Sequence, residues 1–311
     1  MKNQRPPKQR VWTKEYLEIS RKDLFDNDFL PVFLKFLSIK NNSKILDVGT
    51  GLGYIARLLY AENKSIDITG IDINKRLIKL AEKDAFVNKQ KIKYAVMDVH
   101  SLEYPDAYFD LAIEQTVLIN VPEPDKIVKE MIRVVKPGGL IVAIEPVVQY
   151  DHHNIYCPNE DNPEEKEAEH IYDFIMDKVI KYRKENGIDE FIAVKLPSLF
   201  KSQGLCNVES KLRGKVTQGS PFPNAEKLRK YLEKELAENE KGYSYTLKEA
   251  VKAGVSLQVI KKARGMTIKL LRNSLKNIGE TAQIWNARIV CQNLLITKGR
   301  KSTNIGEPSP I

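Results

Sequence analysis

Cysteine is scarce in this 311-residue chain: Cys157, Cys206 and Cys291 lie far apart and form no CxxC pair. That excludes a disulfide framework and a cysteine-rich zinc site, and it suits a reducing cytoplasm, the expected location. Long uncharged apolar runs are missing too, so no membrane span is expected, and the basic opening MKNQRPPKQRVWTKEY lacks the apolar centre of a signal peptide. No Gly-Lys-Ser/Thr follows the glycines at 49–53, which removes a phosphate-binding P-loop. Tyr54 stands where the third glycine of GxGxxG belongs, which demotes NAD. His152 and His153, beside Asp151 and Cys157, have no HxxxH spacing, and sequence neighbours point apart, so no metal is expected.

What is present is enough apolar material, 42% of residues, to bury a sizeable core, and a net charge of +9. Positive charge collects near the N-terminus, at Lys2, Arg5, Lys8, Arg10 and Lys14, and again between Lys261 and Lys276. Such a balance attracts anionic surfaces without selecting one. A nucleic-acid partner stays open but is not favoured, peripheral membrane contact stays open, and nothing fixes an oligomeric state.

From Lys44 to about Glu145, short apolar runs alternate with amphipathic segments of helical period, the pattern of βαβ units and a parallel sheet. KILDVG, IDITGIDI, KIKYAVMD, FDLAIEQ and GLIVAIEP are the expected strands, the last following a turn at KPGG. After Pro146 the spacing turns mostly helical: one long helix over PEEKEAEHIYDFIMDKVIKYRKENG, and helical spacing almost throughout Asn224–Asn277. CNVESKLRGKV alternates like an edge strand, and ARIVCQNLLITKG closes the chain's ordered part. The expected organisation is one domain over 1–311, with a core of about 23–146, 190–218 and 279–300, helical insertions at about 147–189 and 219–278, and loose tails at 1–10 and 301–311.

The stretch LDVGTGLGYIA places Gly49, Gly51 and Gly53 where a buried strand turns into a helix, so that a ligand can touch the backbone itself. Asp47 would repel a pyrophosphate at that point and attract an ammonium or a sulfonium. Asp72, ending the second strand, can accept both ribose hydroxyls, and its charge rejects a 2′-phosphate. Asp98, ending the third, can accept from an exocyclic adenine amine while the Val99 N–H serves a ring nitrogen. Three acids at three successive strand ends line the edge where ligands bind open α/β sheets.

The motifs ILDVGTGLGYIARLL, ITGIDIN, AVMDVHSLEYPDAYFDLAIEQTVLINV and EMIRVVKPGGLIVAIEP resemble those of class I S-adenosylmethionine-dependent methyltransferases, most nearly the ubiquinone/menaquinone-type, small-molecule group. The resemblance covers residues 44–146 and continues more weakly through GIDEFIAVKLPSLFKSQGLCNVES. It implies an α/β, Rossmann-like sheet of seven strands, mostly parallel with the last antiparallel, helices on both faces, and helical insertions forming a lid. It implies S-adenosylmethionine as cofactor and S-adenosylhomocysteine as product. Gly49, Gly51 and Gly53 would surround the methionine part, Asp72 the ribose, Asp98 and Val99 the adenine, and Glu114 with Gln115 would lie near the methyl group; Asp47, Thr50 and Ile73 are further cofactor-binding candidates. An N-terminal helix commonly closes over the cofactor in this fold, which makes Tyr16 a candidate.

Methyl transfer from a sulfonium needs alignment more than it needs acid–base groups. Candidate catalytic residues are Gln115, His152 and His153. EQTV, not an Asn/Asp-Pro-Pro-Tyr/Phe motif, follows the fourth strand, which argues against amine-directed methylation of nucleic acid. The expected substrate is a small molecule. Between Val255 and Lys276, Lys262, Lys269, Arg272 and Lys276 share one helix side, opposite Ile260, Ala263, Leu270 and Leu271. That basic side keeps two alternatives open: an RNA- or protein-directed methyltransferase, and, from another class, a non-catalytic protein that binds the cofactor.

Overall fold

Five apolar runs separated by helices can satisfy their buried backbone groups only by pairing with one another. The computed structural model describes residue 25 and residues 28–147, 155–156, 163–218, 224–287 and 289–303. Strands β1 (Lys44–Val48), β2 (Asp67–Asp72), β3 (Ile92–Val96), β4 (Phe109–Gln115) and β5 (Val135–Pro146) are parallel and ordered β3-β2-β1-β4-β5. A two-residue β6 (Ile155–Tyr156) and β7 (Leu205–Gln218) both pair with β8 (Ile289–Lys301), which runs antiparallel to β5. Leaving the two-residue β6 aside, this is the seven-stranded, mostly parallel, Rossmann-like sheet that the motifs imply.

The helices are α1 (Leu30–Leu37), α2 (Tyr54–Glu62), α3 (Lys75–Val87), α4 (Pro124–Val134), α5 (Pro163–Glu185), α6 (Ile192–Ser202), α7 (Ala225–Lys241), α8 (Tyr245–Lys252), α9 (Leu257–Lys276) and α10 (Ile278–Ala287). Strands β1 and β4 and the Leu140–Glu145 part of β5 are buried almost continuously rather than alternately, as befits strands covered on both faces. One large cluster joins Phe25, Phe33, Phe36 and Leu37 to Ile45, Ile68, Ile113 and Val142 of the sheet. Lys298 of β8 secures the end of α1: its Nζ lies 4.2 Å from the centre of the Phe36 ring and donates to the Phe36 carbonyl at 3.2 Å.

KPGG is not a turn ahead of the fifth strand but a bulge inside it. The β4–β5 register slips between the Phe109↔Val135 and Leu111↔Leu140 pairs, and Gly138 takes up the irregularity at φ 77°. A Cβ on Gly139 would lie 2.8 Å from the Asp110 carbonyl, so only glycine lets the two strands approach.

Two compact units emerge: Met1–Val147, Ile188–Arg213 and Leu294–Ile311 form one, Val148–Gly187 and Gly214–Asn293 the other. Residues 279–293, expected with the core, group with the second unit. That unit has its own apolar centre, in which Ile175 and Val179 of α5 meet Leu247 and Ala250 of α8 and Ile260 and Ala263 of α9. The helical spacing over Asn224–Asn277 resolves into three helices because Asn224, Ser244 and Ser256 each accept a backbone N–H at a helix start. The cations of α9 meet acids. Lys262 Nζ lies 2.5 Å from Glu167 and Lys269 Nζ 2.7 Å from Glu164, both on α5, and Arg272 lies 2.6 Å from Glu240 on α7. These half-exposed pairs hold little energy, but they cancel most of the basic stripe.

Phe33 is 1% exposed at the centre of the large cluster. Truncation to alanine should cost about 3–5 kcal/mol, read as a fall in the urea midpoint, whereas Phe86→Ala, at a position 85% exposed, should change stability by less than about 0.5 kcal/mol.

Candidate functional site

All five parallel strands end at one edge of the sheet, and their register sets the acids there. Val48 is level with Ile71 on β2 and Glu114 on β4, and Asp72 is level with Val96 on β3. Asp47, Asp72 and Asp98 therefore come within a residue or two of the same edge. β1 lies between β2 and β4, where the order of connection reverses, the position at which open α/β sheets bind ligands.

The glycine turn is built from inside. Asp47 is 2% exposed, and its Oδ2 accepts the Thr50 hydroxyl at 2.5 Å and the Ala56 N–H at 3.2 Å. It thus caps α2 from a distance, since Gly53, the residue at the cap, has no side chain to do so. The expected attraction of Asp47 for a ligand cation acts, if anywhere, from behind this loop. Gly49, Gly51 and Gly53 all have positive φ, at 68°, 56° and 74°. Their surroundings differ. A Cβ on Gly49 would lie 2.3 Å from Val117 Cγ2, and one on Gly53 would lie 2.2 Å from the Tyr94 hydroxyl; one on Gly51 would meet nothing within 4 Å. Only Gly51 presents bare backbone to open space, while the outer two glycines make room for protein side chains. Neither Tyr94 nor Val117 carries a local sequence signal for that role. Burial pushes the Tyr94 phenol well above its ordinary range, so the ring stays neutral against the loop.

Asp72 holds the loop's far side: Oδ2 accepts the Gly51 N–H at 3.0 Å and Oδ1 accepts the Asn74 N–H at 2.8 Å. Burial raises its carboxyl, opposed by those two bonds. Each oxygen keeps a second lone pair, so a vicinal diol can still be received. Ile73 beside it is 47% exposed, an apolar surface at the ligand edge.

Asp98 is braced by a residue that motif matching passes over. His100 donates its backbone N–H to Asp98 Oδ1 at 2.9 Å, and its Nδ1 lies 2.9 Å from the same oxygen while Nε2 lies 2.9 Å from the Pro122 carbonyl. Burial alone would raise the Asp98 carboxyl, but the His100 bonds and charge hold it below its ordinary range. The second oxygen of Asp98 and the Val99 N–H have no partner among the described residues, so both are available to a ligand. The i, i+2 spacing in VMDVH fits such a turn.

Glu114 and Glu145, both fully buried, form a second device at the ends of β4 and β5. Glu114 accepts the Val117 N–H at 3.0 Å and the Ile144 N–H at 3.2 Å, and Glu145 accepts the Ile119 N–H at 3.2 Å. Burial and the neighbouring charge of Glu145 drive the Glu114 carboxyl well above its ordinary range. Glu114 is thus a brace for the segment after β4. Gln115 is 7% exposed, and its amide nitrogen is buried with no partner among the described residues.

Residues 46–143 match a family model described as a methyltransferase domain. Over that stretch, about a third of its length, the chain is similar to this family. Demethylmenaquinone methyltransferase of Lysinibacillus sphaericus is 34% identical to this chain over 113 residues, 36% of the chain and 48% of that enzyme. Phosphoethanolamine N-methyltransferase 3 of Arabidopsis thaliana is 29% identical over 113 residues, 36% of the chain and 23% of that enzyme. The chain thus spans less than half the length of these relatives. The solved structure of the YcgJ protein of Bacillus subtilis shares the fold, with a TM-score of 0.50 at 14% identity over 89% of this chain and all of that one.

The matched stretch therefore gathers Asp47, Gly49, Thr50, Gly51, Gly53, Asp72, Ile73, Asp98, Val99, Glu114 and Gln115 along one sheet edge. Tyr16, His152 and His153 lie outside the described residues. No helix among the described residues is long and apolar enough to cross a membrane.

Two outcomes follow from the loop and the glutamate pair. Gly53→Ala should destabilise the domain more than Gly51→Ala in thermal unfolding, because only the former drives a Cβ into Tyr94; both carry a left-handed penalty of about 1–2 kcal/mol. The raised Glu114 carboxyl gives stability that is complete below the unfolded carboxylate range and lost as pH rises through the folded value. Across that window the unfolding free energy should fall by about 1.4 kcal/mol per pH unit for the one proton that the folded Glu114 retains. Glu145→Gln, which removes the competing charge, should flatten this slope in urea titrations repeated from mildly acidic to alkaline pH.

Proposed function

We propose that the chain is an S-adenosylmethionine-dependent methyltransferase acting on a small-molecule acceptor. The observation that carries this reading is the bare Gly51 backbone facing open space between carboxylates at successive strand ends. Asp72, with a free lone pair on each oxygen, would take the ribose hydroxyls; Asp98 and the Val99 N–H would take the adenine edge; Ile73 would pack beside the base. The carboxylate set disfavours a pyrophosphate and suits a ligand with cationic groups. When bound, S-adenosylmethionine supplies an activated methyl group whose leaving group is a neutral thioether.

The work left to the residues is alignment and exclusion of water, which together supply on the order of 7–11 kcal/mol of barrier lowering. The Glu114–Glu145 pair fixes the backbone of Val117 and Ile119, holding in place the wall that follows β4. Gln115, with its buried amide nitrogen unpaired among the described residues, is the group on this edge best suited to orient an acceptor. His152 and His153 remain candidates for a general base where the acceptor must lose a proton. A small acceptor is favoured over RNA because three of the α9 cations that would grip phosphates, Lys262, Lys269 and Arg272, are already engaged by Glu167, Glu164 and Glu240.

Calorimetry tests the cofactor and labelled transfer tests the activity. S-adenosylhomocysteine should bind while NADH and ATP do not, and Asp72→Asn should weaken binding about 10- to 100-fold through loss of charge-assisted hydrogen bonds. With the cofactor's methyl group labelled and a metabolite extract as acceptor source, label should move to a small, nuclease- and protease-resistant product. Firm binding of NADH in place of S-adenosylhomocysteine would defeat the proposal.

A further inference from the structure

The outer face of α3 is unlike that of any helix the proposed chemistry uses. At about 100° per residue, Lys75, Phe86, Lys79, Lys83, Arg76 and Val87 fall, in that rotational order, inside an arc of about 120°. The opposite side, Leu77, Ile78, Ala81 and Ala85, is buried. Phe86 is 85% exposed and Val87 67%, and the four cations line one surface groove together with Leu80. None of those cations forms an ion pair among the described residues, in contrast to Lys262, Lys269 and Arg272 of α9. The two acids of the helix, Glu82 and Asp84, fall outside the arc, and Asp84 lies 3.8 Å from Arg57. Exposed Lys89 and Lys91 follow directly.

We infer that this face of α3 docks the protein on a bilayer surface that carries anionic lipid. A large aromatic and a β-branched side chain held in water beside four unpaired cations are mismatched to water and to a polar protein surface alike. The lipid interface suits both: the rings and methyls enter the boundary of the acyl region while the lysine stems lie along it and their ammonium groups reach the headgroups. RNA would use the cations but gives Val87 and Leu80 nothing to pack on. The inference is independent of the transfer reaction and needs no turnover to test.

The test is co-sedimentation of the full chain with phosphatidylcholine vesicles, with and without phosphatidylglycerol. The chain should partition onto the anionic vesicles and leave the neutral ones. Lys79→Gln with Lys83→Gln should lower the partition coefficient roughly 30-fold, at about one lipid-facing charge each. Phe86→Ser, at a site too exposed to affect folding, should lower it about tenfold. A control that neutralises Lys241 and Lys252 should stay within about twofold of the parent. Circular dichroism should be the same for all forms. The inference is overturned if the parent ignores both vesicles, if it does not distinguish them, or if the α3 variants match the control. It is equally overturned if homopolymeric RNA is retained through the α3 lysines while vesicles are not.

Discussion

A single buried carboxylate organises the site. Asp47 stands at the last turn of β1, 2% exposed, and binds both the loop that follows, through Thr50, and the helix after it, through the Ala56 N–H. Without that acceptor the start of α2 would leave orphan N–H groups, because Gly53 has no side chain to cap them. The loop can adopt three left-handed residues in five because this clamp at one end, and Asp72 gripping the Gly51 N–H at the other, outweigh the cost of ordering them. The open face of Gly51 exists only because its neighbours are held.

The same logic recurs one strand over. Glu114 and Glu145 are charges buried inside a sheet, which is expensive unless they are neutralised or fully bonded. Here burial favours the neutral Glu114 carboxyl, and three backbone N–H donors from the chain after β4 and from β5 meet the requirement. The result is a wall segment fixed by polar bonds in an otherwise apolar core. His100 does for the third strand end what Asp47 does for the first, tying Asp98 to the Pro122 carbonyl and so linking two loops that would otherwise move apart.

Charge on the surface is distributed by the same economy of partners. The helix with the most basic pattern in sequence, α9, has three of its cations, Lys262, Lys269 and Arg272, matched by acids of α5 and α7, whereas the shorter α3 keeps four without an ion pair among the described residues. Counting lysines along the chain points to α9; only the packing of helices within the second unit reverses that order. Net charge speaks to the partners a protein attracts, and ion pairing decides where on the surface that attraction is felt.

Strand positions, their parallel character and the acids at their ends were legible from the residues, because a period of apolar runs and a glycine turn are local signals. The sequence by itself determined that Asp47, Asp72 and Asp98 would stand at or just past the ends of β1, β2 and β3, at one edge of the sheet, because parallel strands that follow one another in this pattern bring such ends together. The tertiary structure decided what each residue does there. It assigned Gly49 and Gly53 to Val117 and Tyr94, left Gly51 alone open, and turned Glu114 into a brace against Glu145, thirty-one residues away in sequence. It also made a bulge of KPGG and broke the last helical stretch at Ser244 and Ser256. Those outcomes depend on which side chains distant in the chain are brought within a few ångströms, and no local period encodes that.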